Sequence, residues 1–380
     1  MLSKNFIVLF YIFLSLTIFH PSEAQTWVKA GYWYSGTRFP ISDINTTLFT
    51  HLFCAFAGIN SSTYELSFSS SGQQYYFSNF TAIVKQKNPS ITTLLSIGGA
   101  NADPSIYSLM ANSYVNRKSF IDSSMKTARL YGFQGIDLYW VWPKTSSDVT
   151  SMTTLLEECR VAVESEANNS SQPQLILTAA AHYSPDFISP NSVYSLPVDS
   201  MQKNLDWLNV VAYHYYSPFS ANYTRAVAAL HDPETHADTD GGIKAWIARG
   251  LSANKLVLGL PLFGYMWTLK NSQKNGIGAP VTGLVTNSTD TNDRGSIAYK
   301  DIKRHYIQTY SPALTYNATF VVNYCVIGSN WITFDDVEAV QNKVLYAKEM
   351  SLLGYYVWHV ANDDNWVLSL TAGRNIILSL

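Results

Sequence analysis

Apolar residues along this chain follow two periods. Short β-rich runs recur at Val28 to Trp33, His51 to Phe56, Thr92 to Ile97, Gly135 to Tyr139, Leu175 to Ala180, Leu208 to Tyr213, Lys255 to Leu260 and Gly354 to Trp358. Between several of them the spacing becomes helical: Arg117 to Tyr131 (Phe120, Ile121, Met125, Ala128, Leu130), Val149 to Glu166, and Val337 to Leu353 after a cap at Asp335 or Asp336. Strands alternating with helices through eight repeats predict an α/β fold, a closed parallel (β/α)8 TIM barrel. A doubly wound open sheet is the alternative. No glycine-rich phosphate loop follows any strand, so nucleotide binding has no support.

Successive strands start roughly 20 to 50 residues apart, as a strand, a helix and two loops require, until the last interval stretches to roughly 100. Extra chain is therefore inserted before the eighth strand. Its own β-like runs (Phe320 to Val326, Trp331 to Phe334) and a short helical one (Tyr299 to Ile307) predict a small α+β subdomain over 267–334. It would sit on the barrel's C-terminal rim, where active-site loops lie, with the barrel formed by 25–266 and 335–380.

Residues 1–24 read as an address. Lys4 supplies a basic start, Phe6 to Phe19 is almost wholly apolar, and Pro21-Ser22-Glu23-Ala24 ends in a small residue. This is the pattern of a secretory signal peptide, and no later stretch approaches the roughly 20 apolar residues a membrane span needs. Secretion, to the extracellular space or a vacuole, is the expected route. Eight Asn-x-Ser/Thr triplets agree with it, at Asn45, Asn60, Asn79, Asn168, Asn169, Asn222, Asn287 and Asn317. Three cysteines, Cys54, Cys159 and Cys325, are too few for a disulfide scaffold, so stability must come from a hydrophobic core.

Composition narrows the partner. With 25 basic and 27 acidic side chains the net charge is −2, which argues against nucleic acid. Only 14% of residues are charged, while Tyr, Phe and Trp make up another 14%. Such rings either pack a core or present flat faces to something uncharged, such as sugar. No cofactor and no metal-ligating set is expected.

The fourth strand carries the specific motif, Gln134-Gly135-Ile136-Asp137-Leu138-Tyr139-Trp140-Val141. It resembles the chitinase signature D-G-x-D-x-D-x-E of glycoside hydrolase family 18. Further matches to plant class V chitinases run in order along the chain: Gly31-Tyr32-Trp33, Ser96-Ile97-Gly98-Gly99, Ala212-Tyr213, and Gly354-Tyr355 through Trp358-His359. Alternation along a strand points Asp137, Tyr139 and Val141 toward the barrel axis and its mouth, and Trp140 and Trp142 outward beneath the helices.

In the family the last acid of the signature protonates the leaving oxygen and the middle one orients the substrate's acetamido group, a substrate-assisted scheme. Val141 and Tyr139 stand at those two positions here, Gln134 replaces the first acid, and His214 stands where the sixth strand's M-x-Y-D pattern ends in Asp. Of the acidic row Asp137 remains. Val141 has no proton to give and an unperturbed phenol near pKa 10 supplies no carboxylate charge at neutral pH, so the chain is expected not to be an enzyme. His214 is the one titratable substitute, either as an acid or as a hydrogen-bonding side chain in a polar cleft.

The resemblance implies that binding surfaces outlast the acids. Trp358 occupies the position of the sugar-stacking floor and Tyr213 that of a phenol bonding the acetamido carbonyl. Tyr32, Phe56, Tyr139 and Trp267 complete the expected carbohydrate-binding set with His214; for each ring, core packing is the competing reading. The expected function is a secreted chitinase-like lectin, similar to plant chitinase-related agglutinins, binding glycans or glycoproteins of mannose type or chito-oligosaccharides. A glycanase inhibitor or storage protein, and a chitinase with an unorthodox acid, are the alternatives. Agglutination would need at least two sites per particle, hence an oligomer.

Overall fold

The computed structural model describes residues 27–374 except 142, 144, 190, 191, 217, 218, 220, 227 and 287–294; the side chains of 187–193 are likewise not described. The expected signal peptide, Trp142 and Asn287 lie outside the described residues.

Eight strands pair in parallel: β1 (Val28–Tyr34), β2 (His51–Ile59), β3 (Thr92–Gly98), β4 (Gly135–Tyr139), β5 (Ile176–His182), β6 (Trp207–Val211), β7 (Leu256–Pro261) and, after the insertion, β14 (Gly354–Trp358). Pairing of β1 with β2 closes the ring, which makes the fold a (β/α)8 TIM barrel. The sixth strand ends at Val211, so Tyr213 and His214 belong to the loop beyond it and not to the strand.

Period two sorts the side chains into two cores. Tyr32, Phe53, Leu94, Tyr139, Val141, Val211, Val257 and Tyr356 fill the barrel interior. Trp33, Cys54, Leu95, Ile136, Leu138, Trp140, Leu208 and Val357 pack outward under the helices. Trp140 lies against Tyr107 there, as its position in the alternation requires.

The surrounding helices start where the chain offers caps. Ser70 caps α1 (Ser71–Lys87) by accepting from the Gln73 N–H, and Asp103 caps α2 (Pro104–Asn112), which is followed by α3 (Tyr114–Leu130). Thr145 and Asp148 form a reciprocal capping box on α4 (Ser146–Ser170). Asp238 caps α6 (Thr239–Ala248), which follows α5 (Val198–Asn204); Asp336 caps α7 (Val337–Glu349), and α8 (Val367–Gly373) closes the described chain. Asp335, the other cap candidate, has a different role: it is fully buried in an ion pair with Lys343.

Between β7 and α7 lies an antiparallel six-stranded sheet: β8 (Phe263–Leu269), β9 (Val281–Leu284), β10 (Ser296–Ala298), β11 (Leu314–Asn317), β12 (Val322–Ile327) and β13 (Asn330–Phe334). It opens at Phe263, ahead of the expected boundary at 267, because Phe263 and Tyr265 already pair with Ala298 and Thr333. A helical segment over 299–310 packs beside it. All three cysteines are buried and free, and desolvation pushes the thiols of Cys159 and Cys325 up to about 12. Among the described residues no helix is long and apolar enough to cross a membrane.

Candidate functional site

Parallel register brings three polar side chains together inside the barrel. Ser96 on β3 stands beside Asp137 on β4, and Asp137 beside Thr178 on β5. Side chains in register on neighbouring strands share a face, so the two hydroxyls meet the carboxylate at 2.6 and 2.7 Å. Tyr32 Oη at 2.9 Å and Asn209 Nδ2 at 3.2 Å complete the set, and Trp207 Nε1 holds the Asn209 amide at 3.0 Å. Complete burial raises the Asp137 carboxyl above its usual range, and the hydrogen bonds from Ser96, Thr178, Tyr32 and Asn209 oppose that rise.

One layer nearer the mouth the floor is aromatic. Tyr139, only 4% exposed, meets Phe56 edge to face at 4.7 Å, Tyr32 at 6.0 Å and Trp358 at 6.2 Å. Half-buried Trp358 stacks on Phe56 at 5.5 Å and lies 6.3 Å from Tyr34. Tyr213 Oη is 3.1 Å from Tyr356 Oη, which donates to the Val210 carbonyl at 3.2 Å. Burial first, then the phenols of Tyr356 and Tyr139, push Tyr213 well above the ordinary phenol value, so it is neutral at neutral pH.

Above this floor opens a cleft of about 520 Å³ lined by Tyr34, Phe56, Tyr139, Val141, Tyr213, His214, Phe263 and Trp358, with Ser67, Ser69, Gln73, Asn101, Asp103 and Asn362 also on its walls. The turn after β3 leaves room for it. Gly98 and Gly99 take φ of +117° and +96°, and a Cβ on Gly99 would lie 2.5 Å from the Phe56 ring. His214, itself at φ +59°, stacks on Phe263 at 4.8 Å and places Nδ1 2.8 Å from Tyr265 Oη. His359 on the wall is buried, its imidazole driven down to about 3 by desolvation and then by the Lys300 charge.

Of the expected site residues the structure gathers Phe56, Tyr139, Val141, Tyr213, His214 and Trp358 in one cleft. Four others lie elsewhere, Asp137 among them, fully buried below the floor. Tyr32 is completely buried beneath the floor, and its hydroxyl serves Asp137. Trp267 is 2% exposed within the insertion sheet, packed on Tyr265 at 5.7 Å and Trp331 at 5.9 Å. For both, core packing is what the structure shows. Gln134 stands at the opposite end of β4 from the cleft, where its Oε1 accepts from the Thr93 N–H and hydroxyl.

Tyr34 and His359 are among the cleft residues that sequence reasoning missed. Tyr34 continues the alternation of Tyr32 on the same strand, and His359 directly follows Trp358, so both signals were present. Gln73, Asn101 and Asp103 come from loops and helix starts with no period to mark them. Among the glycosylation triplets Asn60, Asn168, Asn169 and Asn222 are exposed, whereas Asn45, Asn79 and Asn317 are half-buried.

With that geometry in place, the chain matches the model of glycosyl hydrolases family 18 over residues 28–363, and it belongs to that family. A class V chitinase of Arabidopsis thaliana is 45% identical over 369 residues, covering 96% of this chain and 94% of its own. A mutant class V chitinase from Nicotiana tobaccum, solved in complex with NAG4, superposes with a TM-score of 0.87 at 45% identity, covering 92% of this chain and 98% of that one. The chitinase-like agglutinin RobpsCRA from Robinia pseudoacacia gives a TM-score of 0.83 at 39% identity over 91% and 99% of the two chains.

These relatives correct the expectation, drawn from Tyr139 and Val141, that the chain is not an enzyme. Nearly full-length relatives are named chitinases, and nothing in the comparisons shows catalysis lost.

Proposed function

We propose that this chain binds carbohydrate in the cleft at the mouth of the barrel, as a lectin built on the family 18 scaffold. The carrying observation is Trp358: a half-buried indole walled by Phe56, Tyr34 and Tyr139 in a cleft whose lining, among the described residues, includes a single formally charged one, exposed Asp103. A flat ring gives apolar area to the C–H face of a pyranose, while hydroxyls and amides on the walls meet its own hydroxyls. Relatives support the reading, one solved with NAG4 and another named an agglutinin. N-glycans, mannose-type or chito-oligosaccharide, are the ligand classes it allows.

A glycan array probed with the mature, deglycosylated protein tests it. Selective binding is expected. Trp358→Ala should weaken that binding by about 2 kcal/mol, roughly thirtyfold, as loss of a central aromatic anchor does. A blank array from folded protein overturns the reading. Turnover of a labelled chito-oligosaccharide by the same preparation reports the cleft's chemistry separately from its binding. The reading includes passage through the secretory route by way of residues 1–24, and N-terminal sequencing of the mature protein checks for cleavage after Ala24.

A further inference from the structure

We infer that Tyr139 sets the specificity of this cleft, so that the sugar ring over Trp358 is a plain neutral hexose and N-acylated rings are excluded. This rests on the carbohydrate-binding reading and sharpens it.

β4 and β14 lie four places apart in the ring of eight, directly across the barrel, yet the Tyr139 and Trp358 rings approach to 6.2 Å. Tyr139 therefore reaches toward the barrel axis and forms the floor beside Trp358 on its axial side. Its ring is held edge-on by Phe56 at 4.7 Å, with Tyr32 at 6.0 Å beneath it. Below that, Asp137 is fully buried and receives its four hydrogen bonds from Tyr32, Ser96, Thr178 and Asn209. No ligand group can reach it.

Polar capacity on the axial side is spent as well. The Tyr139 and Tyr213 hydroxyls interact, Tyr213 is bonded to Tyr356, and Tyr356 to the Val210 carbonyl. Among the described residues Val141, Val211 and Phe263, all 4% exposed or less, line that side with His214, whose imidazole stacks on Phe263 and has its Nδ1 on Tyr265 Oη. A pyranose stacked on Trp358 thus meets rings and apolar side chains on the axial side, their hydroxyls and the His214 Nδ1 already engaged, and finds Asn101, Ser67, Ser69, Gln73 and Asn362 on the others.

Substituent size and polarity then decide. A ring hydroxyl is one heavy atom, whereas an acetamido group brings four, among them an N–H and a carbonyl that both need partners. Directed at the Tyr139 wall it would clash or leave its amide unpaired, which weakens binding by about tenfold or more.

Calorimetry on wild type with cellotetraose, mannotetraose and chitotetraose tests this; the first and third share their linkage and differ in the 2-substituent. At least one plain tetraose should bind about tenfold or more tightly than chitotetraose. Tyr139→Phe keeps the ring and should keep that ratio. Tyr139→Ala, confirmed folded by its melting curve, opens the axial side and should bring chitotetraose to parity or better. Trp358-dependent binding that favours chitotetraose in wild type leaves the carbohydrate reading standing and overturns this inference alone. Absence of binding to every saccharide, array included, overturns both.

Discussion

At the residue scale, one carboxylate organises the barrel interior. Asp137 takes hydrogen bonds from four side chains on four different strands, so its removal leaves four buried donors in search of partners. Each unsatisfied buried group is worth about 1–3 kcal/mol, partly recovered by repairing among themselves. Asp137→Ala should therefore destabilise the protein by roughly 3–5 kcal/mol in chemical denaturation, and Asp137→Asn, which keeps acceptor capacity on one oxygen, by about half that. Tyr32 shows how far alternation can be trusted. Its place on β1 identifies the inward face, and depth within the barrel decides that it serves Asp137 instead of a ligand. Two residues further, Tyr34 on the same face reaches the cleft.

At the element scale, α7 is fastened to the end of the insertion sheet by a buried ion pair. Lys343 Nζ is bonded to Asp335 and donates to the Ala228 carbonyl at 2.5 Å, with both charged side chains almost completely buried. Desolvation lowers the Lys343 ammonium and raises the Asp335 carboxyl, and their attraction opposes both shifts. Breaking such a pair from one side leaves a lone buried charge. Lys343→Met should lose about 3–5 kcal/mol of stability, and Lys343→Met with Asp335→Leu should recover most of it; equal loss in single and double variants would show that the packing, not the charge, matters. The sequence placed a helix cap at Asp335 or Asp336. Spacing alone does not separate neighbours, and the buried partner at Lys343 is what assigns the cap to Asp336 and the ion pair to Asp335. The Trp267 expectation failed for a related reason: a tryptophan opening an insertion looks available until the antiparallel partner β13 brings Trp331 against it.

At the scale of the whole molecule, three histidines are kept neutral by burial: His51 and His182, each driven down to about 4, and His359, to about 3. The unfolded chain takes up protons on all three as pH falls below about 6.5, while the native state does not. Stability should consequently decline between pH 6.5 and 4, by at most about 1.4 kcal/mol per pH unit for each group. Asp137, Asp335 and Asp363 act in the opposite sense, since burial raises each carboxyl and so favours the native state as it becomes protonated. The imidazoles act first, from about pH 6.5 downward, so stability falls as the pH drops below that value, and the carboxyls offset part of the loss nearer their own range. Melting temperatures across this range check the sign, and His359→Asn should flatten the slope; a profile independent of pH would contradict it.

What the sequence determined by itself was periodic or positional: eight strands in order, the helices between them, the late insertion, family membership through the β4 motif, and which face of each strand looks inward. Those features follow from side-chain alternation and chain length, both local properties. Tertiary structure decided depth and company. It put Tyr139 and Trp358 within 6.2 Å across the barrel, sank Tyr32 and Asp137 below the floor, buried Trp267, and brought Gln73, Asn101 and Asp103 to the walls. Period two specifies a direction but not a distance, and only barrel closure determines which inward side chains meet one another and which meet solvent.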